Sequence, residues 1–324
     1  MIRAARLKDV EAITALQVAA ATARAARDGA LWPLRADAAR ASAEAVRAGL
    51  DGDAPLRQHW LVAETAGVLQ GVVHAIHLPV PPIYAGEDGA PGLIMQGSAL
   101  ATDAPPGAAA ALLAAAQERL ETAGARIILG SAEDGGRWER ALHAAGFAPL
   151  TRYLAKTGLV AAPPGPRVRP ARPADIASIV ALSHRNRATL HRLDPFWKPH
   201  AQADARFAAW MEKSLTLPDR DMLVEDGAQD LAGYAISQPL TPLHLPAAHD
   251  ISGTGIIDDF FHGAFADPEQ HLGGAGPLLA AAEAALARRG ARAVLAVCPA
   301  AWSARTQAFA DAGYRPALTW HIRR

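Results

Sequence analysis

The chain has 324 residues, 51% hydrophobic and 20% charged, with 32 basic residues against 32 acidic ones. That balance excludes a strongly basic nucleic-acid binder. A single cysteine, Cys298, excludes an intramolecular disulfide framework and a Cys-rich zinc site. Behind Met1-Ile-Arg-Ala-Ala-Arg there is no apolar run, and no later stretch reaches the ~18 apolar residues of a membrane span. A soluble protein of a reducing cytoplasm is the expectation.

In chain order, a short strand at Ile2–Arg6 leads into a helix opened near Asp9. An Ala/Arg-rich helical region follows at Ala36–Ala48, then strands at Trp60–Glu64, Val68–Ile76 and Leu93–Leu100. A helix at Ala108–Ala123 ends at Gly124, and Arg126–Gly130 (strand), Arg137–Ala145 (helix) and Leu150–Lys156 (strand) close the unit. Ala161-Ala-Pro-Pro-Gly-Pro166 continues neither a helix nor a central strand and reads as a linker. The order then repeats. A strand at Arg167–Pro170 precedes a helix opened near Asp175 and a helical region at Gln202–Ser214. Strands follow at Met222–Glu225, Leu231–Gln238 and Gly255–His262. A helix at Gly276–Arg289, a strand at Arg292–Val297, a helix at Ser303–Ala312 and a strand at Arg315–Ile322 complete it.

The residues repeat with the elements. The run from Ile2 to Val10, Ile-Arg-Ala-Ala-Arg-Leu-Lys-Asp-Val, returns from Val168 to Ile176 as Val-Arg-Pro-Ala-Arg-Pro-Ala-Asp-Ile. Arg3, Arg6 and Asp9 thus fall on Arg169, Arg172 and Asp175. Leu112-Leu113 falls on Leu278-Leu279, Gly124 on Gly290, and Ala145-Gly146-Phe147 on Ala312-Gly313-Tyr314. A period of about 166 residues is far above the ~50 of solenoid repeats. It means two copies of one whole domain, residues 1–160 and 161–324, each a mixed α/β unit.

The most distinctive segment is Pro268-Glu-Gln-His271-Leu272-Gly273-Gly274-Ala275-Gly276-Pro277, which opens a helix. Three glycines let backbone approach a ligand, and successive N–H groups at a helix N-terminus suit an anion. Pro277 fits a first helical turn, where its missing N–H costs nothing. A plain Gly-rich turn reads the same residues equally well.

This order of elements, the His271–Gly276 loop and the closing Ala-Gly-Tyr/Phe resemble the GNAT superfamily of N-acetyltransferases over both halves. The resemblance implies two tandem domains, each a central, mostly antiparallel sheet flanked by helices. It also implies acetyl-CoA as cosubstrate, its pyrophosphate held by His271, Leu272, Gly273, Gly274, Ala275 and Gly276, with His271 where the family has Arg or Gln. Backbone at Phe261 and His262 would pair with the pantetheine arm. In the first half Gly274 and Gly276 become Ala108 and Ala110, and Pro105 and Pro106 lack N–H groups, so that copy reads as degenerate, kept for packing or for shaping the substrate site.

Ile256-Ile-Asp258-Asp259-Phe260-Phe261-His262 carries two adjacent carboxylates in a strand, where Asp is disfavoured. Alternation predicts opposite faces, with only one looking into the cleft. By resemblance to Leu-Glu-Asp-Phe-Phe-Val in polyamine-type members, Asp258 is the base and Asp259 its partner; strand-end capping is the bland alternative. The family's tyrosine acid is replaced by Phe309, leaving Ser303, Cys298 or Tyr314 as acids, or none. Leu182–His200 reads as a binding segment or as a solvated loop with aromatic anchors. Its His184, His191 and His200 lack zinc-helix spacing and an obvious carboxylate partner, so no metal is expected. The resulting expectation is direct acetyl transfer to a primary amine of a small molecule, with no nucleic-acid or membrane partner and a homodimer left open. A non-catalytic acyl-CoA-binding protein, a CoA site in the first half around Gly107, and a thiol-sugar biosynthesis enzyme are the rivals.

Overall fold

The computed structural model describes residues 1–52 and 56–324. The first half runs β1 (Ile2–Ala4), α1 (Val10–Arg27), α2 (Ala38–Asp51), β2 (Gln58–Thr65), β3 (Val68–His77), β4 (Gly92–Ile94), β5 (Ala99–Leu100), α3 (Ala108–Thr122), β6 (Ile128–Ala132), α4 (Arg137–Ala144) and β7 (Ala148–Thr157). The second runs β8 (Val168–Pro170), α5 (Ile176–Leu193), α6 (Ala203–Ser214), β9 (Asp221–Asp226), β10 (Leu231–Pro239), β11 (Thr254–His262), α7 (Gly276–Arg288), β12 (Ala293–Pro299), α8 (Ser303–Asp311) and β13 (Arg315–Arg323). No helix among the described residues is long and apolar enough to cross a membrane.

The repeat extends to individual hydrogen bonds. Arg3 grips Asp9 through two bonds of 2.7 and 2.9 Å, and Arg169 grips Asp175 at the same two distances. The backbone N–H of Arg6 and of Arg172 donates to the same aspartate at 2.8 and 2.7 Å. Each bidentate pair locks a first strand to its first helix, and its arginine reaches on to the second strand, at Glu64 or Asp226.

All strands form one 13-stranded sheet in the order β1-β2-β3-β4-β6-β13-β7-β12-β11-β10-β9-β8, with β5 beside β3. The centre is an exchange. β13 inserts next to β6 of the first half, while β7 inserts next to β12 of the second. The two then pair antiparallel with each other. Each sequence copy's last strand thus completes the other copy's sheet.

Among the described residues only β4·β6 and β11·β12 pair in parallel. The predicted strand Leu93–Leu100 is broken in two. A turn at Met95–Ser98 interrupts it, closed by a 3.1 Å bond from the Ser98 N–H to the Met95 carbonyl, while Ser98 Oγ accepts the His74 N–H. Its counterpart β11 is continuous.

Each half packs a core beneath α3 or α7. Leu112, Leu113, Leu120 and Leu142 fill the first. Phe260, Phe261, Phe265, Trp302 and Phe309 fill the second, with ring centroids 5.3–6.3 Å apart, pairs worth ~0.5–1.5 kcal/mol each beyond their burial. Two further clusters lie on the seam, one around Leu31, Trp32, Leu245 and Leu318, the other around Leu93, Leu129, Leu150 and Trp320.

The seam is tied by reciprocal loops. In the second half, Asp194 accepts the Phe196 N–H at 2.8 Å and opens the turn to Pro199. In the first, Asp28 accepts the Leu31 N–H at 3.1 Å and opens the turn to Pro33. The recurring Asp and Pro thus mark a shared turn. Each turn docks on the other half, through Ala85 N–H to the Lys198 carbonyl (2.8 Å) and Asp250 N–H to the Pro33 carbonyl (2.8 Å).

Candidate active site

β11 and β12 pair only from Thr254↔Ala293 to Ile257↔Ala296. Beyond that point the edge of β11 pairs with no strand on the β12 side among the described residues. The register on its other side slips at the same place. Ile236 of β10 faces Asp259, but the next residue, Ser237, faces Ile257, so Asp258 has no partner. This is a β-bulge, and a bulge re-aims side chains. The expectation that alternation sends the two aspartates to opposite faces is corrected here: both Asp258 and Asp259 line one cavity of about 1000 Å³.

The two carboxylates are held differently. One oxygen of Asp259 accepts from Tyr234 Oη at 2.8 Å and from Asn186 Nδ2 at 3.2 Å. Asp258 accepts from Gln238 Nε2 at 2.6 Å through one oxygen, and Gln238 is itself held by Arg220. The Asp258 side chain is exposed where it lines the cavity. Desolvation by the protein packed around this site, followed by the negative charge of Asp259, pushes its pKa up to about 7. Burial also pushes the Asp259 carboxyl up, opposed by its Tyr234 bond and by Arg305 and Arg187.

Both halves build the cavity wall. α5 supplies Ser183, Asn186, Arg187 and Leu190; α6 supplies Phe207 and Trp210; α8 supplies Arg305. The first half adds Thr151 and Tyr153 from the exchanged β7, and Pro81–Tyr84 from the β3–β4 loop. That loop is fixed by the His200 N–H donating to the Ile83 carbonyl (2.9 Å) and by Arg206 donating to the Pro82 carbonyl (2.7 Å). Burial raises the Tyr84 pKa above its ordinary value, and the charge of Asp259 adds to the effect. Of the segment Leu182–His200, Ser183, Asn186, Arg187, Leu190 and Trp197 line the cavity, while His184, His191 and His200 do not. His184 does have a carboxylate beside it, Asp204 at 3.1 Å, contrary to the sequence reading.

The glycine loop opens α7 as expected, with Pro277 in its first turn. Gly273 and Gly274 adopt φ of 73° and 90°, a region that costs a side chain strain. The N–H groups of Gly273, Gly274, Ala275 and Gly276 meet no acceptor among the described residues, so four donors stand free at a helix N-terminus. His262 lies beneath. Its Nδ1 accepts the Ala264 N–H at 3.0 Å, and a β-carbon on Gly274 would sit 3.8 Å from its ring. Burial holds the imidazole neutral, with a pKa pushed down to about 4. His271 turns to Asp311 at 3.0 Å and ties the loop to the end of α8. The Leu272 side chain is exposed, while that of Phe261 is buried in the core, leaving only its backbone at the open edge.

The first-half loop is built differently. Arg137 donates to the carbonyls of Ala104 (2.8 Å) and Pro105 (2.7 Å), and the Ala108 N–H, counterpart of the Gly274 N–H, is taken by the Pro105 carbonyl at 3.0 Å.

The proposed acids are placed away from the carboxylates. Ser303 Oγ donates to the Pro268 carbonyl at 2.9 Å and anchors the glycine loop from the start of α8; it does not line the cavity. Cys298 is buried, and its thiol pKa is pushed up by that burial. Tyr314 and Phe309 are core residues. Sequence reasoning missed Tyr234, Gln238, Arg220, Arg305 and Tyr84. Only an aromatic or amide at a strand position facing the carboxylates could have signalled the first two.

This architecture is the fold of the GCN5-related N-acetyltransferases, present twice in tandem. A GCN5-related N-acetyltransferase from Sphaerobacter thermophilus is similar over 100% of this chain and 95% of its own, with a TM-score of 0.56 at 18% identity. A tandem GNAT protein from the clavulanic acid biosynthesis pathway is similar over 99% of this chain and 97% of its own, with a TM-score of 0.49 at 15% identity. No known family profile and no curated protein sequence matches the chain.

Proposed function

We propose that the second half is an acyl-CoA-dependent N-acetyltransferase acting on a primary amine of a small molecule, with acetyl-CoA as cosubstrate. The observation that carries this reading is the bulge at Asp258. It brings two carboxylates into one cavity at the point where β11 and β12 part. The amine nitrogen attacks the thioester carbonyl carbon; the new C–N bond replaces the C–S bond. Asp258 accepts the amine proton, and the thiolate leaves to take a proton from solvent. A base works best with a pKa near the operating pH, and Asp258 at about 7 meets that condition. Asp259, held by Tyr234 and Asn186, keeps its neighbour's pKa high. The free N–H groups at Gly273–Gly276 suit the cosubstrate's pyrophosphate, and the open edge at Phe261–His262 suits an amide-bearing arm. Size and a mainly apolar wall with a few polar groups fit a small-molecule acceptor, since such sites run ~300–1000 Å³ with few polar groups.

The test is Asp258→Asn with an amine panel and CoA binding measured in parallel. Loss of turnover on the order of 10²–10⁴-fold with unchanged CoA affinity supports the assignment; full activity removes it. CoA binding without turnover on any amine would instead support a sensor on the same fold.

A further inference from the structure

Outside the cavity lining, α4 and the exchanged β13 bring three other ligating groups together. His321 lies on β13 opposite Gly130 of β6 and has no exposed surface. Its Nε2 is 3.1 Å from Nε2 of His143, with the rings edge to face at 70°. Glu139 stands one helical turn before His143 on the same face. One ligand atom from each residue lies within 4.8 Å of the others. Glu139 spends one oxygen on the Gly135 N–H, which leaves the other free to turn toward the imidazoles.

Two Nε2 atoms facing each other share at most one proton. The same spacing is close to the ~3.3 Å between two nitrogens bound at ~2.05 Å to a tetrahedral zinc. The repeat sharpens the point. Leu154 faces Ala296 as His321 faces Gly130, and the Ala-Gly-aromatic ends of α4 and α8 set Glu139 against Thr306 and His143 against Ala310. The second half thus packs the same place with Thr306, Ala310 and Leu154. Packing here does not require two imidazoles and a carboxylate.

We propose that Glu139, His143 and His321 bind one zinc ion, with a fourth position open on the exposed side of His143, and that the ion pins the exchanged strand to the first half. The sequence expectation of no metal was drawn from other histidines and did not consider this set, whose two histidines lie 178 residues apart in the chain.

The experiment is zinc chloride titration of the chelator-treated protein, with a chromophoric competitor for affinity and a thermal melt for stability. The expected result is one equivalent bound and a melting temperature that rises with zinc, since a ligand of the native state stabilises it by mass action. His143→Ala, exposed on α4, is expected to keep the metal-free melting temperature and to lose more than the ~100-fold in affinity that changing an outer-shell partner costs at most, and Glu139→Gln to lose affinity to a smaller extent. No zinc uptake by the parent, equal affinity in His143→Ala, or binding without any rise in melting temperature would overturn the proposal.

Discussion

At the scale of single residues, the proposed chemistry rests on two carboxylates that differ in their surroundings. Asp258 must be ionised to accept a proton, so turnover is expected to rise with pH through about 7 and level off above it. A pH–rate profile of kcat/KM checks this; a flat profile from pH 6 to 8 would contradict it. Asp259 raises that value by its charge, so Asp259→Asn should move the rising limb to lower pH, while removal of a merely structural partner would lower the rate without moving the limb. The aspartate pair was legible in the sequence because two adjacent carboxylates are anomalous in a β-branched, aromatic strand. Their shared face was not, because a bulge depends on how β10 and β11 register, which a single strand's pattern does not encode. Tyr234 and Gln238 were hidden for the same reason: their roles come from the strand opposite.

At the scale of elements, two equivalent loops differ in detail. The one before α7 offers four free N–H groups; in the one before α3 the Ala108 N–H is taken by the Pro105 carbonyl, and Arg137 grips the carbonyls of Ala104 and Pro105. Gly276 has nothing within 4 Å of where a β-carbon would stand, so Gly276→Trp should fold normally yet fill the space above the N–H groups. Calorimetry is expected to show one acetyl-CoA site in the parent and none in this variant. Two sites in the parent would mean that the first half also binds. The loop could be read from sequence because its glycines are local requirements of the backbone. The Pro81–Tyr84 contribution to the second half's cavity could not, because nothing in those residues names the surface they dock against. Ser303 suits an acid by its type, while its hydroxyl at the start of α8 donates to the Pro268 carbonyl, a contact that its type alone does not announce.

At the scale of the molecule, the order of elements, their duplication and the fold class were all legible, since hydrophobic period and turn residues are local signals. The exchange of β7 and β13 was not, because a strand that completes its own sheet and one that completes its neighbour's carry the same pattern. It has a direct test. Residues 1–160 and 161–324, produced separately, should each be poorly folded, and mixing them should restore a 1:1 complex with native circular dichroism. Independent, monomeric folding of either piece would show that the exchange is dispensable.

The exchange also sets an order of events during synthesis. β6 is complete at Ala132, yet the strand that covers its edge ends at Arg323. At ~5–20 residues per second, a ribosome takes roughly 10–40 s to make the chain in between. For that interval the nascent first half carries an open sheet edge, the kind of surface on which neighbouring chains pair. Two nascent copies side by side could trade their late strands instead of each keeping its own, so crowding on a polysome would favour entangled pairs over chains that each close their own sheet.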